Sequence, residues 1–351
     1  MTIKELSDLA GVSTATVSRA FKENSDINAE TRKHILALAE QVGYRPKQYV
    51  LRKRTARKNL TVGVVLDCGS YPFSNVVLTG ICNAMNAEGV TVLCANSQDD
   101  PQQSILCLDR MRDLVDGLIV VPATEQNDYN IQFLEEINRS IPVLTLIRST
   151  NLNHIDTVRV DNYTPTYNAI SLLIDHGHEH IAIINGPMKI KPSHDKLTAY
   201  AAAMSDHNLP IRSEYICYGE FDEQKICDLT IDLITRFPAI TALVTANTTI
   251  TRGCLKALDE LNLQIPDDIA IISYGNDFCF SLRPLHITAI ADPHIVMGQQ
   301  AAQLLLQRIR TRKHNKKRPP ERIIISSELI IRGSEIFPKN RLSERRKPTP
   351  F

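Results

Sequence analysis

The sequence predicts two unlike parts: a small all-α headpiece built around a helix-turn-helix, followed by a two-lobed α/β domain with parallel sheets. Three observations carry this. Apolar residues recur at helical spacing three times within the first 42 residues. From Leu60 the pattern changes to short apolar runs alternating with amphipathic helical stretches, as expected of parallel sheets covered by helices on both faces. That second region runs for about 280 residues, too long for one such sheet, and therefore divides into two lobes.

In the headpiece, Ile3, Leu6, Leu9 and Ala10 fall on one face of a first helix, Val17 and Ala20 mark a second, and Ile35, Leu38, Ala39 and Val42 mark a third. Gly11 can take the left-handed conformation of a tight turn, and the Ser13 hydroxyl can accept from the free amides that open the second helix. A plain three-helix bundle fits the same spacing. Read as helix-turn-helix, the second helix enters a DNA major groove with Thr14, Ala15 and Thr16 against base edges and Arg19 one turn along the same face. Arg19 suits a bidentate pair with guanine, and Ala15 or a threonine methyl suits the thymine methyl.

Charge separates the parts further. In the first 60 residues twelve basic side chains face six acidic ones, leaving +6; with +1 for the whole chain, the remainder carries −5. Seven of those bases lie between Arg45 and Lys58 with no acid among them. A run of this kind is either a solvated linker or, directly after a helix-turn-helix, the phosphate-neutralising segment that supplies DNA affinity, and we read it as the latter.

Beyond Leu60, "LTVGVVL", "TVLCANS", "GLIVV", "PVLTLI", "HIAIING", "ALVTAN" and "IAIISYG" read as strands, with helices such as "VVLTGICNAMNAEG" and "TYNAISLLIDHG" between them. Ligands in such folds sit where loops leave the carboxyl ends of the strands, so a small-molecule cleft is expected between the lobes. The eight cysteines show no Cys-x-x-Cys pair, which predicts buried free thiols in a reducing cytosol. No apolar run approaches the roughly 18 residues of a membrane span and the start lacks a signal-peptide core, so a cytoplasmic protein is expected. His176, His178 and His180 invite a metal reading, but Gly177 ends the preceding helix and leaves the three astride a turn. Phosphate-loop and nucleophile-elbow motifs are absent, so neither a cofactor nor catalysis is predicted. The second basic run, from Arg308 to Arg318, reads as solvated, and residues 339–351 as a disordered end.

The order of parts, with "IKELSDLAGVSTATVSRAF", "TRKHILALAEQVGYRP", "VDN" at 160–162, "HGHEHIAIINGP" and "ELIIRGS", resembles the LacI/GalR family of bacterial transcription regulators over nearly the whole chain. The resemblance implies a homodimer on a palindromic operator and a sensor like the periplasmic sugar-binding proteins. Its implied layout is a headpiece over 1–46, a basic hinge over 47–59 and a two-lobed domain over 60–338. The N-lobe would hold about 60–161 and 292–321, the C-lobe about 162–291 and 322–338, with crossings near Asp161, Ala291 and Ile323.

By position, Thr14, Ala15 and Arg19 become base readers. Ser13, Thr16, Ser18, Thr31 and Tyr44 become phosphate contacts or headpiece supports, and Arg52, Lys53 and Arg54 hinge contacts. Where most members place a hinge leucine this chain has Lys53, which implies a basic tether rather than an apolar wedge. Phe73, Asp161, Lys196, Asn247 and Asp277 are the implied effector residues. Lys196 stands where members carry arginine, losing a bidentate fork, while Thr248 and Gly275 stand where they carry carboxylates. The implied effector is a nucleoside such as cytidine, with repression of nucleoside uptake and catabolism genes and the cyclic-AMP receptor protein as partner. A regulator of a sugar-utilisation operon is the alternative, and an enzyme of nucleoside or sugar metabolism the contrasting class.

Overall fold

Thr2 starts the first helix for a local reason: its hydroxyl accepts from the Glu5 amide while the Glu5 carboxylate accepts from the Thr2 amide at 2.9 Å. Helix α1 (Ile3–Ala10) then ends at Gly11, whose φ of 64° is left-handed. Ser13 caps α2 (Thr14–Ala20) by accepting from Thr16 N at 3.1 Å, as its position predicts, and Asn28 caps α3 (Ala29–Gln41). Leu6, Val17, Ala20, Ile35 and Ala39 form the headpiece core. Arg32 Nε donates to Ala20 O at 3.0 Å and ties α3 to the end of α2. Leu9 departs from expectation at 57% exposure, because the buried stripe of α1 runs through Ile3, Leu6, Ser7 and Ala10.

The computed structural model describes residues 2–21, 27–44, 60–67, 73–123, 128–148, 154–220, 222–313 and 319–338. The basic hinge, with Arg52, Lys53 and Arg54, and the expected disordered end lie outside the described residues.

Two six-stranded sheets follow the headpiece. The first holds β1 (Thr61–Leu66), β2 (Thr91–Asn96), β3 (Gly117–Val120), β4 (Val143–Leu146), β5 (Asp156–Val160) and β11 (Arg322–Ile325), in the order β11-β5-β4-β3-β1-β2 and parallel throughout. The second holds β6 (Ile181–Asn185), β7 (Ile216–Tyr218), β8 (Ala242–Thr245), β9 (Ala270–Tyr274), β10 (Thr288–Ala291) and β12 (Glu328–Ile330), in the order β12-β10-β9-β8-β6-β7. Only β12 is antiparallel to its neighbour. Between strands run α4 (Phe73–Ala87), α5 (Pro101–Met111), α6 (Asp128–Ser140), α7 (Tyr163–Asp175), α8 (Lys191–Asp206), α9 (Glu223–Arg236), α10 (Thr248–Glu260) and α11 (His294–Lys313).

The chain passes from the first lobe to the second after Val160 and back after Ala291. The last crossing needs correction: Ile323 pairs with Val158 and packs with Ile325 on the first lobe's core, so Arg322–Ile325 belongs to that lobe and the chain crosses at 326–327. Helices α4 and α11 meet backbone to backbone, where a Cβ on Gly80 would lie 2.2 Å from Ile295 O and one on Gly298 2.2 Å from Val77 O. Seven cysteines are described as free thiols, but only Cys107, Cys227 and Cys254 are buried, and Cys94 is exposed. Among the described residues no helix is long and apolar enough to cross a membrane.

Candidate functional site

Two surfaces carry the candidate chemistry. On the headpiece, Thr14, Ala15 and Arg19 are exposed on α2, while Thr16 and Ser18 are half-buried. Ser13 Oγ lies 2.8 Å from Thr16 Oγ1, so both hydroxyls are engaged at the start of the helix. Thr31 is half-buried in the first turn of α3. The Tyr44 ring stands edge-on to Phe21 at 6.0 Å and packs against the headpiece core, and burial pushes its hydroxyl pKa up.

A cavity of about 560 Å³ lies between the lobes, lined by residues that leave the carboxyl ends of strands in both sheets. From the first lobe come Phe73, Ile147, Arg148 and Val160, and from the second Lys196, Asn247, Tyr274 and Asp277. Phe73 stacks on His294, centroids 5.0 Å apart and planes within 9°. Burial lowers the His294 pKa against the opposing charge of Asp292, favouring the neutral ring. Arg148 Nη1 is spent on Asp99 Oδ1 at 2.5 Å and Pro122 O at 2.9 Å.

Lys196 donates to Ala246 O at 2.7 Å and sits 3.5 Å from the Tyr274 ring centroid. Burial brings its pKa down to about 8, with the charges of Asp292 and Asp195 pulling the other way. Asn247 Oδ1 caps α10 by accepting from Ile250 N at 2.8 Å, which leaves its amide donors. Asp277 accepts from Cys279 N at 3.3 Å and faces Arg252 Nη1 at 3.5 Å. Gly275 has φ 96°, and a Cβ there would lie 2.6 Å from Thr248 Cγ2, so Thr248 fills the space that a side chain at 275 needs. A buried hydroxyl chain, Thr245–Thr251–Ser273, ends on Gly275 O and stiffens both loops of this wall.

Of the five effector residues expected from the sequence, Phe73, Lys196, Asn247 and Asp277 line the cavity. Asp161 does not; its neighbours Val160 and Asn162 do, while its carboxylate accepts from Tyr163 N and Thr164 N and starts α7. Burial pushes the Asp161 pKa up, but the bonds from Thr164 and Tyr163 and the charge of Arg159 outweigh it and hold the group below the usual value. Arg148, Tyr274, Asp292 and His294 were missed, although each lies at or just beyond the end of a strand, the position that signals a cleft residue.

The histidine cluster disperses: His176 Nδ1 lies against Leu172 O, His178 is buried between Thr241 Oγ1 and Glu335 O, and His180 lies against the Tyr215 hydroxyl. Among the described residues no group of three His, Cys, Asp or Glu is arranged to hold a metal. Of the second basic run, residues 314–318 lie outside the described residues, while its three described arginines are engaged. Arg308 grips Asp156 with both arms at 2.7 and 2.8 Å, Arg310 pairs with Glu88, and Arg312 donates to Asn138 O and Arg139 O.

Comparison with known proteins matches both parts of the chain. The family described as bacterial regulatory proteins, lacI family, matches residues 2–47, and the periplasmic binding protein-like domain matches 170–335. The chain is 27% identical over 335 residues to the HTH-type transcriptional repressor PurR of Actinobacillus pleuropneumoniae serotype 3 (strain JL03), spanning 95% of this chain and 98% of that protein. Among solved structures it is similar to a lac repressor dimer bound to operator and the anti-inducer ONPF, at TM-score 0.70 and 19% identity over 96% and 99% of the two chains. It is also similar to a LacI family transcriptional regulator from Enterococcus faecium with bound ribose, at TM-score 0.67 and 25% identity over 79% and 98%.

Proposed function

Because the chain belongs to the LacI family of bacterial regulatory proteins, we propose that the headpiece reads operator DNA with Thr14, Ala15 and Arg19 while a small molecule in the interlobe cavity sets its affinity. It is a DNA-binding repressor rather than an enzyme, acting as a homodimer. The observation that carries the reading is the coexistence of an exposed polar face on α2 with a cavity of about 560 Å³ whose walls come from both lobes. A ligand touching both walls changes the lobe angle, and each lobe arrangement then differs in affinity for ligand and for DNA.

The finer reading is a nucleoside effector, cytidine first, and control of nucleoside uptake and catabolism genes. The segments "VSTATVSRA", "TVRVDN" and "ELIIRGS" resemble the cytidine-responsive repressor and support it. So does the cavity, where the Phe73–His294 stack offers a flat face and Lys196 and Asn247 offer donors to ring carbonyls. The PurR relatives bring purine bases into the comparison, and the ribose-bound neighbour keeps a sugar-responsive regulator as the second reading.

The deciding experiment is a thermal melt of the full chain with cytidine, other nucleosides, purine bases and common sugars. The true effector stabilises by about 2.7 kcal/mol at a hundredfold excess over its dissociation constant and alters operator affinity. A shift with sugars alone sinks the nucleoside reading, and no shift with any compound sinks the effector reading. For the DNA face, Arg19→Ala should cost about 1–3 kcal/mol on operator and relax selection at one base pair; equal loss on random DNA would remove Arg19 from base reading. The cyclic-AMP receptor protein is the proposed partner on DNA, and lack of cooperativity in a binding assay containing both proteins removes it.

A further inference from the structure

The geometry points to Arg159 and Asp195 as an interlobe latch that couples occupancy of the cavity to the angle between the lobes. This rests on the reading of the cavity as the effector site. Arg159 lies in β5 of the first lobe and Asp195 in the first turns of α8 of the second. Arg159 Nη1 stands 3.5 Å from Asp195 Oδ2, with the two side chains 24% and 18% exposed.

Each partner is next in sequence to a residue of the cavity wall: Val160 follows Arg159 and Lys196 follows Asp195. The same stretch of α8 therefore shows Pro192, Ser193 and Lys196 to the ligand and Asp195 to the other lobe. On the first-lobe side, Arg159 stands just before the point where the chain crosses between lobes.

The distance sets the direction of the effect. At 3.5 Å the pair is longer than the roughly 2.7–2.9 Å of a fully formed charge-assisted bond. A ligand drawing the walls together shortens it, so the latch strengthens in the closed, occupied state and adds to effector affinity. Lys191 holds the other carboxylate oxygen at 2.9 Å, within its own helix, and keeps Asp195 aimed without linking the lobes.

The test is a double-mutant cycle in the full-length chain with Arg159→Gln, Asp195→Asn and both together. Hydrogen exchange without ligand is expected to rise at residues 160–164 in each single variant and no further in the double; additive rises overturn the pairing. Affinity for the effector found in the melt is expected to fall about tenfold in either single variant and no more in the double. Unchanged affinity in variants that fold and bind operator normally overturns the latch. Lys191→Gln is expected to leave affinity intact, and a loss there as large as in Arg159→Gln means that Asp195 acts only on its own helix, which also overturns it. A wild type that responds to no ligand refutes the effector reading instead, and the exchange cycle then judges the pairing alone.

Discussion

In the first lobe, the strand next to the sheet edge begins at Asp156, and charge secures it: Arg308 from α11 clamps the carboxylate with two bonds while Glu321 N donates to the same group. In the second lobe the equivalent strand begins at Thr288, and neutral and singly charged groups of the closing segment secure it. Ser334 Oγ accepts from Thr288 N at 2.7 Å and donates to Ile271 O, Thr288 Oγ1 donates to the Glu335 carboxylate, and His178 lies against Glu335 O. The two sheets share a strand order, yet one edge depends on an ion pair within the lobe and the other on a late stretch of chain. Shared topology fixes where a tie is needed and leaves its chemistry open.

The sharpest way to break the comparison is a chain ending at Ile331. It removes partners from Thr288, Ile271 and His178 together, at about 1–3 kcal/mol for each buried group left unpaired. Calorimetry should show the second lobe failing before the first; a single unshifted transition would mean that residues 332–337 are dispensable. Next, Arg308→Ala strands Asp156, which is only 8% exposed at its side chain, and should cost about 3–5 kcal/mol in denaturant unfolding.

A smaller effect separates the lobes by pH. Burial lowers the Lys196 pKa to about 8 from the ordinary 10.5, so its burial penalty is complete below pH 8 and is relieved as pH climbs to 10.5. Lys196→Met should therefore gain stability over wild type most below pH 8, with the gap closing above it, as melts across pH 7–10.5 will show. The difference between the two proteins is the readout, because burial raises the pKa values of Cys254, Tyr200 and Tyr274 and makes them oppose folding at high pH. Smallest of all, Arg236→Ala in the second lobe loses a pair whose side chains are 64% and 63% exposed, and should change stability by less than about 1 kcal/mol.

The sequence made the buried centre of each sheet legible and its margins hard to read. Runs such as "LTVGVVL" and "IAIISYG" are apolar on both faces because helices cover both, and they stand out without any partner. Strand β5, "DTVRV", carries Arg159 toward the interlobe contact, and the short edge strands β11 and β12 offer only "III" and "LI", apolar runs too short to stand out. The cavity divides in the same way. Phe73, Lys196, Asn247 and Asp277 could be placed from family position, but Arg148 and Asp292 on loops and His294 at the start of α11 converge only once the strand order is known. Asp161 was misplaced because a residue beside a cleft can as readily begin the next helix as face the ligand.

The glycine contact between α4 and α11 has its own consequence. Phe73 and Val76 lie on one of these helices and His294 and Ile295 on the other, and all four line the cavity. Gly80 and Gly298 therefore act as a spacer of fixed thickness behind the wall. A methyl group added at Gly298 would wedge the two helices apart and reset the width of the opening, changing which molecules fit while every side chain they touch stays the same.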